Sequence, residues 1–219
     1  VNSDPGSSPP ARRGARGQYA KSAQRRREIL AAALEVFACA GYDNGSLRAV
    51  AQRCGVPETS VLHHFPSKKV LLEVLLDEQE ESAREVAERH TDLLGALDAV
   101  LATTDEASSR FAELMNRLSV EATDPEHPAH AHLVRRSRRL QAGLTDGFDD
   151  IRKAGRLRTS VSPSTAAALV LAAWGGLENR RLLDPDAPDV PDTSTGLRTL
   201  LSAFVIDQPH TKENDHAVD

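Results

Sequence analysis

Three clusters of side chains in this chain of 219 residues are of types that can do chemistry. The first gathers His127, His130 and His132 beside Asp124 and Glu126. Imidazoles and carboxylates together suit Zn²⁺ or Ni²⁺. His130 and His132 stand two apart, however, so on a helix they point to different sides. The stretch therefore reads as a polar loop opening a helix, not as a metal site. The second cluster is Arg135, Arg136, Arg138 and Arg139. Arg135, Arg138 and Arg139 share a helix face that would suit an anion, although long helices commonly carry solvated arginines. The third lies in the stretch Ser46–His64, where a short helix, the turn Cys54-Gly55-Val56 and a second short helix follow one another. A short second helix behind a glycine turn can enter a groove about 12 Å wide and present its first residues to base edges, although such helix pairs are common in any bundle. The N-terminus of such a helix also offers N–H groups to phosphate.

The remaining reactive types argue against catalysis. Cys39 and Cys54 lack Cys-x-x-Cys spacing and an adjacent base, so they read as small hydrophobes. The sequence has no phosphate loop, nucleophile elbow or His-Glu-x-x-His motif. The chain is expected to be a non-enzyme with no catalytic residues, no metal and no cofactor.

Charge separates the chain into two parts. Residues 1–69 carry eleven Lys/Arg against five Asp/Glu, whereas the rest carries 16 against 27, and the net charge of −5 conceals the asymmetry. A basic front on an acidic remainder predicts that only the front meets a polyanion. Aromatic residues make up 4% of the chain, so the core must be built from Ala, Leu and Val, which favours helices. No apolar run is long enough to span a membrane and no secretory h-region is evident, so a cytoplasmic protein with no membrane partner is expected.

Helices must then position the third cluster. Residues 1–20, rich in Ser, Pro, Gly and Arg, read as a disordered basic arm, with a helix expected from Ser22. Ile29, Ala33 and Phe37 form one i, i+4 row, and Gly41 stops that helix. Ser46 caps the next, whose Leu47, Val50 and Ala51 face inward and which Gly55 ends. Pro57 opens a third, through about His64. Residues 21–68 thus form a helix-turn-helix domain, residues 69–207 a helical body and residues 208–219 a flexible tail. No segment alternates with period two for long enough to make a strand. The reading is all-α, with about nine helices.

The front domain resembles a known family. Arg27-Glu28-Ile29-Leu30-Ala31-Ala32-Ala33-Leu34-Glu35-Val36-Phe37, Gly41-Tyr42, Val50-Ala51, Gly55-Val56 and His64-Phe65-Pro66-Ser67-Lys68 look like the N-terminal domain of TetR-family transcriptional regulators. Asp124-Pro125-Glu126-His127-Pro128, Gly155-Arg156-Leu157-Arg158 and Leu182-Leu183-Asp184-Pro185 are similar more loosely. The resemblance implies a homodimer with two DNA-reading heads on a palindromic operator, and a helical body that binds a small effector and thereby releases a repressor. It places Ser46 and Arg48 near backbone phosphate, Glu58, Thr59, Ser60 and His63 on or near the reading face, and His64 and Lys68 mostly at phosphate. Arg25 and the arm arginines reach phosphate or the minor groove. The chain departs from the family pattern where Leu62 replaces a usual Tyr, Thr59 a frequent Gly, Pro57 a hydroxyl cap and Gly45 a frequent Thr. With Leu62 and Glu58 in that domain, the alternative is a helical ligand- or protein-binding module whose DNA head is weakened.

In the body, Phe111, Met115, Leu118, Leu140, Leu144, Phe148 and Trp174 are expected to line an effector cavity or, equally, to form core. Ala166–Leu177 is apolar nearly all round and contains Gly175 and Gly176, which permit close approach. Such a helix needs neighbours on every side. With the stripe of the last helix it predicts an isologous four-helix interface formed by Leu169, Ala173, Leu177, Leu197, Leu200, Leu201 and Phe204.

Overall fold

In the computed structural model, residues 13–102 and 106–206 are described. They form nine helices: α1 (Arg13–Asn44), α2 (Leu47–Cys54), α3 (Glu58–His64), α4 (Lys68–Glu88), α5 (Leu93–Leu101), α6 (Glu106–Glu121), α7 (His130–Lys153), α8 (Pro163–Leu183) and α9 (Thr193–Phe204). Extended pairing among the described residues is limited to an isolated antiparallel bridge between Leu157 and Val205. The chain divides into two compact units, residues 1–75 and 76–219.

The first unit is built on the predicted i, i+4 row. Ile29, Ala33 and Phe37 are wholly buried, together with Val50, Val61, Phe65 and Leu71. α1 begins at Arg13, so part of the expected arm is helical. Arg, Ala, Gln and Lys between residues 13 and 27 are strong helix formers, and Gly14 and Gly17 do not outweigh them. The rest of the arm and the tail at 208–219 lie outside the described residues. Gly41 takes φ 77°, interrupting α1 one turn before its end.

The second unit centres on α7 and α8. Its core joins Leu97 of α5, Leu144, Phe148 and Ile151 of α7, Ala166, Ala167 and Val170 of α8, and Leu197, Leu201 and Phe204 of α9. This corrects the expected interface set. Leu197, Leu201 and Phe204 are buried inside one chain, because the stripe of α9 faces α8 and leaves Leu200 at its margin. Gly175 and Gly176 have no neighbour within 4 Å of a Cβ placed on them. The close approaches fall instead at Gly196, where a Cβ would stand 2.6 Å from Leu177, and at Gly147, where it would stand 2.9 Å from Leu93.

The three imidazoles of the first cluster do not converge on one point, and one of them shares a partner with the second cluster. His127 accepts from Ala129 N at 3.1 Å, and the Nδ1 of His130 lies 2.9 Å from Ala122 O. His132, buried on α7, places Nε2 2.8 Å from Glu80 of α4 and Nδ1 3.4 Å from Asp77. The same Glu80 carboxylate takes Arg136 Nε at 3.3 Å and also Arg139. Burial holds Arg136 below the usual guanidinium range. This acid–base knot ties α4 to α7. Nothing in the periodicity predicts it, because the partners lie more than 50 residues apart.

Candidate nucleic-acid interface

α2 and α3 are held at both ends by local hydrogen bonds. Ser46 sits in extended backbone before α2, and its Oγ accepts from Ala49 N at 3.1 Å. Gly55 closes the helix in the left-handed region, φ 66°, with its N–H reaching Gln52 O and Val56 N–H reaching Ala51 O. A residue with a Cβ is disfavoured in that conformation, so glycine fixes the turn between the two helices. Gly45, just before the cap, is required for a different reason: a Cβ there would stand 2.6 Å from the ring of Phe37. The hydroxyl residue frequent at that position in the family has no room here.

α3 is anchored through a single buried residue, Val61, and its successor Phe65 is wholly buried as well. Everything else on the helix is at least partly open. Glu58, Thr59, Leu62 and His63 are exposed, while Ser60 and His64 are half-buried. At 100° per residue these four exposed positions span an arc of about 140° on one side of the helix. Pro57 gives no side-chain cap, as its type dictates, and Ser60 N–H bonds Pro57 O at 2.9 Å.

The flanking cations divide into free and committed. Arg48 is exposed on α2. Arg25 is half-exposed and paired with Glu28 at 2.7 Å. Lys68 differs from its expected role. Its ammonium donates to Tyr42 O at 2.7 Å, Gly45 O at 2.9 Å and Asp43 O at 3.2 Å, and lies 4.2 Å from the Tyr42 ring centre. An ammonium has three donors, and here three carbonyls around the end of α1 take them. Lys68 thus acts as a cap that fixes the α1–α2 corner. Arg26 stacks 4.7 Å over the Phe65 ring, packing the entry to α4 from outside.

His64 is pushed below the ordinary imidazole range, first by desolvation and then by His63, Arg26 and Arg25. Its neutral form therefore prevails near neutrality. Cys54 donates weakly to Glu28 O at 3.5 Å, and burial raises its thiol above the usual range, which keeps it inert.

Of the residues that the sequence singles out, Ser46, Arg48, Glu58, Thr59 and His63 are exposed and Arg25, Ser60 and His64 half-buried, whereas Lys68 is turned to a structural task. Leu62 is the one that residue chemistry passed over: a leucine 41% exposed among polar neighbours. Its helical spacing from Glu58 and Thr59 was the available signal.

This arrangement of a capped helix, a glycine turn and an exposed short helix matches known proteins. The profile of "Bacterial regulatory proteins, tetR family" fits residues 29–75. An HTH-type transcriptional repressor of Mycobacterium tuberculosis, Rv1474c, is 33% identical over 140 residues, covering 64% of this chain and 72% of that protein. The chain belongs to the TetR family of bacterial regulatory proteins. The HTH-type transcriptional regulator UidR of Escherichia coli is 22% identical over 187 residues, covering 82% of this chain and 92% of UidR. Among solved structures, a SmeT–triclosan complex shares the fold with a TM-score of 0.71 at 23% identity, covering 86% of this chain and 96% of that one. A transcriptional regulator from Rhodococcus sp. RHA1 superposes with a TM-score of 0.62 at 28% identity, over 82% and 95% of the two chains. As a TetR-family member the chain is a transcriptional regulator with an N-terminal DNA-binding head. No helix among the described residues is long and apolar enough to cross a membrane.

Proposed function

We propose that this TetR-family regulator is a cytoplasmic, homodimeric repressor that occupies a palindromic operator and leaves it when a small molecule enters the body. The observation that carries the reading is the exposed arc of Glu58, Thr59, Leu62 and His63 on a helix whose backbone is fixed by Val61, Phe65 and the Gly55 turn. A rigid short helix with an unpaired polar face is suited to base edges. Arg48, Ser46 and Arg25 supply phosphate contacts around it, and His64 adds a neutral donor. The chain works by binding and performs no catalysis.

The dimer reading rests on α8. Its buried side is Ala166, Ala167 and Val170, whereas Leu169 remains 44% exposed and Ala172, Gly175 and Gly176 are open. Beside them, Ala173, Leu177 and Leu200 line an apolar cleft between α8 and α9. An apolar helix face of this kind is covered in solution, and a two-fold copy of itself is the economical partner. Leu169, Ala173, Leu177 and Leu200 remain from the expected set. For the effector, Leu118, Leu144 and Phe148 are buried and Phe111, Met115, Leu140 and Trp174 half-buried, and the half-buried four are the ones proposed to meet it. Rv1474c is a repressor by name, and SmeT is the repressor of a multidrug efflux pump and binds triclosan in the complex cited above. Those properties favour repression and effector release here.

Selection of genomic fragments by the purified protein tests the reading. The expected result is a two-fold symmetric motif, bound by two chains per duplex in sedimentation. Recovery of no common motif would overturn it in favour of a ligand- or protein-binding module.

A further inference from the structure

The exposed face of α3 carries an unusual set of side chains for reading DNA. It offers a carboxylate, Glu58, a hydroxyl, Thr59, an apolar side chain, Leu62, and an imidazole, His63. None is Arg or Lys, which take guanine O6 and N7 in a bidentate fork, and none is Asn or Gln, which do the same for adenine. A carboxylate only accepts, and in the major groove cytosine presents the N4 amino donor with no acceptor of its own beside it, whereas the N6 donor of adenine stands next to the N7 acceptor, which repels a carboxylate. A leucine side chain can neither donate nor accept, and the apolar group in the major groove is the thymine methyl. Leu62 lies one turn from Glu58 on the same side of the helix, so a groove that receives one receives both. Val61 and Phe65, both wholly buried, hold the helix so that Leu62 cannot turn inward.

We infer that Leu62 and Glu58 determine operator specificity by reading pyrimidines, Leu62 a thymine methyl and Glu58 a cytosine amino group. The inference rests on the DNA-binding reading of α3 given above. Leu62 accordingly adds contact at base level and nothing at the backbone, which makes its contribution independent of salt. Glu58, repelled by phosphate, tolerates the groove only where a cytosine amino group compensates it.

The test uses the full-length protein and the motif it selects from a random duplex library. Each thymine of one half-site is replaced in turn by uracil, which removes only the methyl group. Loss of one buried methyl corresponds to roughly a three- to five-fold weakening. That weakening is expected at one or two thymines for the parent protein and is absent for Leu62→Ala, whose exposed position leaves folding intact. Glu58→Gln is expected to move the preferred base at one position from cytosine to adenine by roughly ten-fold, with other positions unchanged. Equal uracil sensitivity in the parent and Leu62→Ala would overturn the inference, as would an unaltered cytosine preference in Glu58→Gln, while DNA binding itself stands. Failure to select any duplex would overturn the DNA reading and the inference with it.

Discussion

The head and the body both close helix ends with polar side chains, as Ser46 does in one and Asp92, Ser162 and Asp192 do in the other, but they differ in what they do with the rest. In the head, polar groups either close helix ends, as Ser46 and Lys68 do, or face outward from a rigid core, as Glu58, Thr59 and His63 do. The body in addition gathers one polar cluster inside: Glu80, 14% exposed, holds His132, Arg136 and Arg139 between α4 and α7. The contrast teaches where function can be looked for. A head of this kind presents its chemistry on a surface that its core merely positions. The body mixes its chemistry with its packing, so that single residues serve both.

The sharpest way to break the comparison is to remove a core anchor of the head. Phe37→Ala deletes a wholly buried ring and is expected to cost about 3–5 kcal/mol, read as a drop in the urea midpoint. A loss below about 1 kcal/mol would mean that the head core is looser than described. Next comes the interior knot of the body. Glu80→Gln leaves His132 and Arg136 facing a neutral amide and is expected to cost about 2 kcal/mol, less than a fully buried pair because Arg139 is 57% exposed. Thermal unfolding of the variant measures this, and an unchanged midpoint would assign the knot to the surface.

Lys68→Met tests the committed ammonium. It removes three hydrogen bonds to carbonyls and is expected to lower stability by about 1–2 kcal/mol, while the slope of DNA affinity against log salt stays that of the parent. A slope reduced by about one would return Lys68 to the phosphates. The smallest effect is one of pH. The folded-state pKa of His64 is depressed, so the unfolded chain binds more protons as pH falls through the ordinary imidazole range. Its contribution is present above that range and is lost below it. The drop in urea midpoint between pH 7.5 and 5.5 should therefore be smaller in His64→Gln than in the parent.

Much of the head was legible in its residues. The row Ile29, Ala33 and Phe37, the stop at Gly41, the cap at Ser46 and the turn at Gly55 depend on local geometry, which neighbouring residues encode. Tertiary partners were not legible. Lys68 joins carbonyls more than 20 residues away, and Glu80 joins a histidine 52 residues on. In the body, apolar stripes on α7 and α9 announced burial but not which burial. Leu201 and Phe204 fill the chain's own core, whereas Leu169 of α8 is exposed and Leu200 of α9 half-buried. The same hydrophobic spacing serves a core and an interface, so only the arrangement of neighbours separates them.

The most direct test is the specificity ratio of a variant stripped of the hydroxyl and imidazole on the exposed face of α3. Affinities of the parent and of Thr59→Ala/His63→Ala are measured for the selected duplex and for a scrambled one at several salt concentrations. The expected result is that the variant's ratio falls, with the preferences set by Glu58 and Leu62 kept, while its salt slope is unchanged, because two base contacts are lost and the phosphate contacts kept. A variant that still prefers the selected duplex as strongly as the parent would contradict the assignment of the exposed face of α3 to DNA.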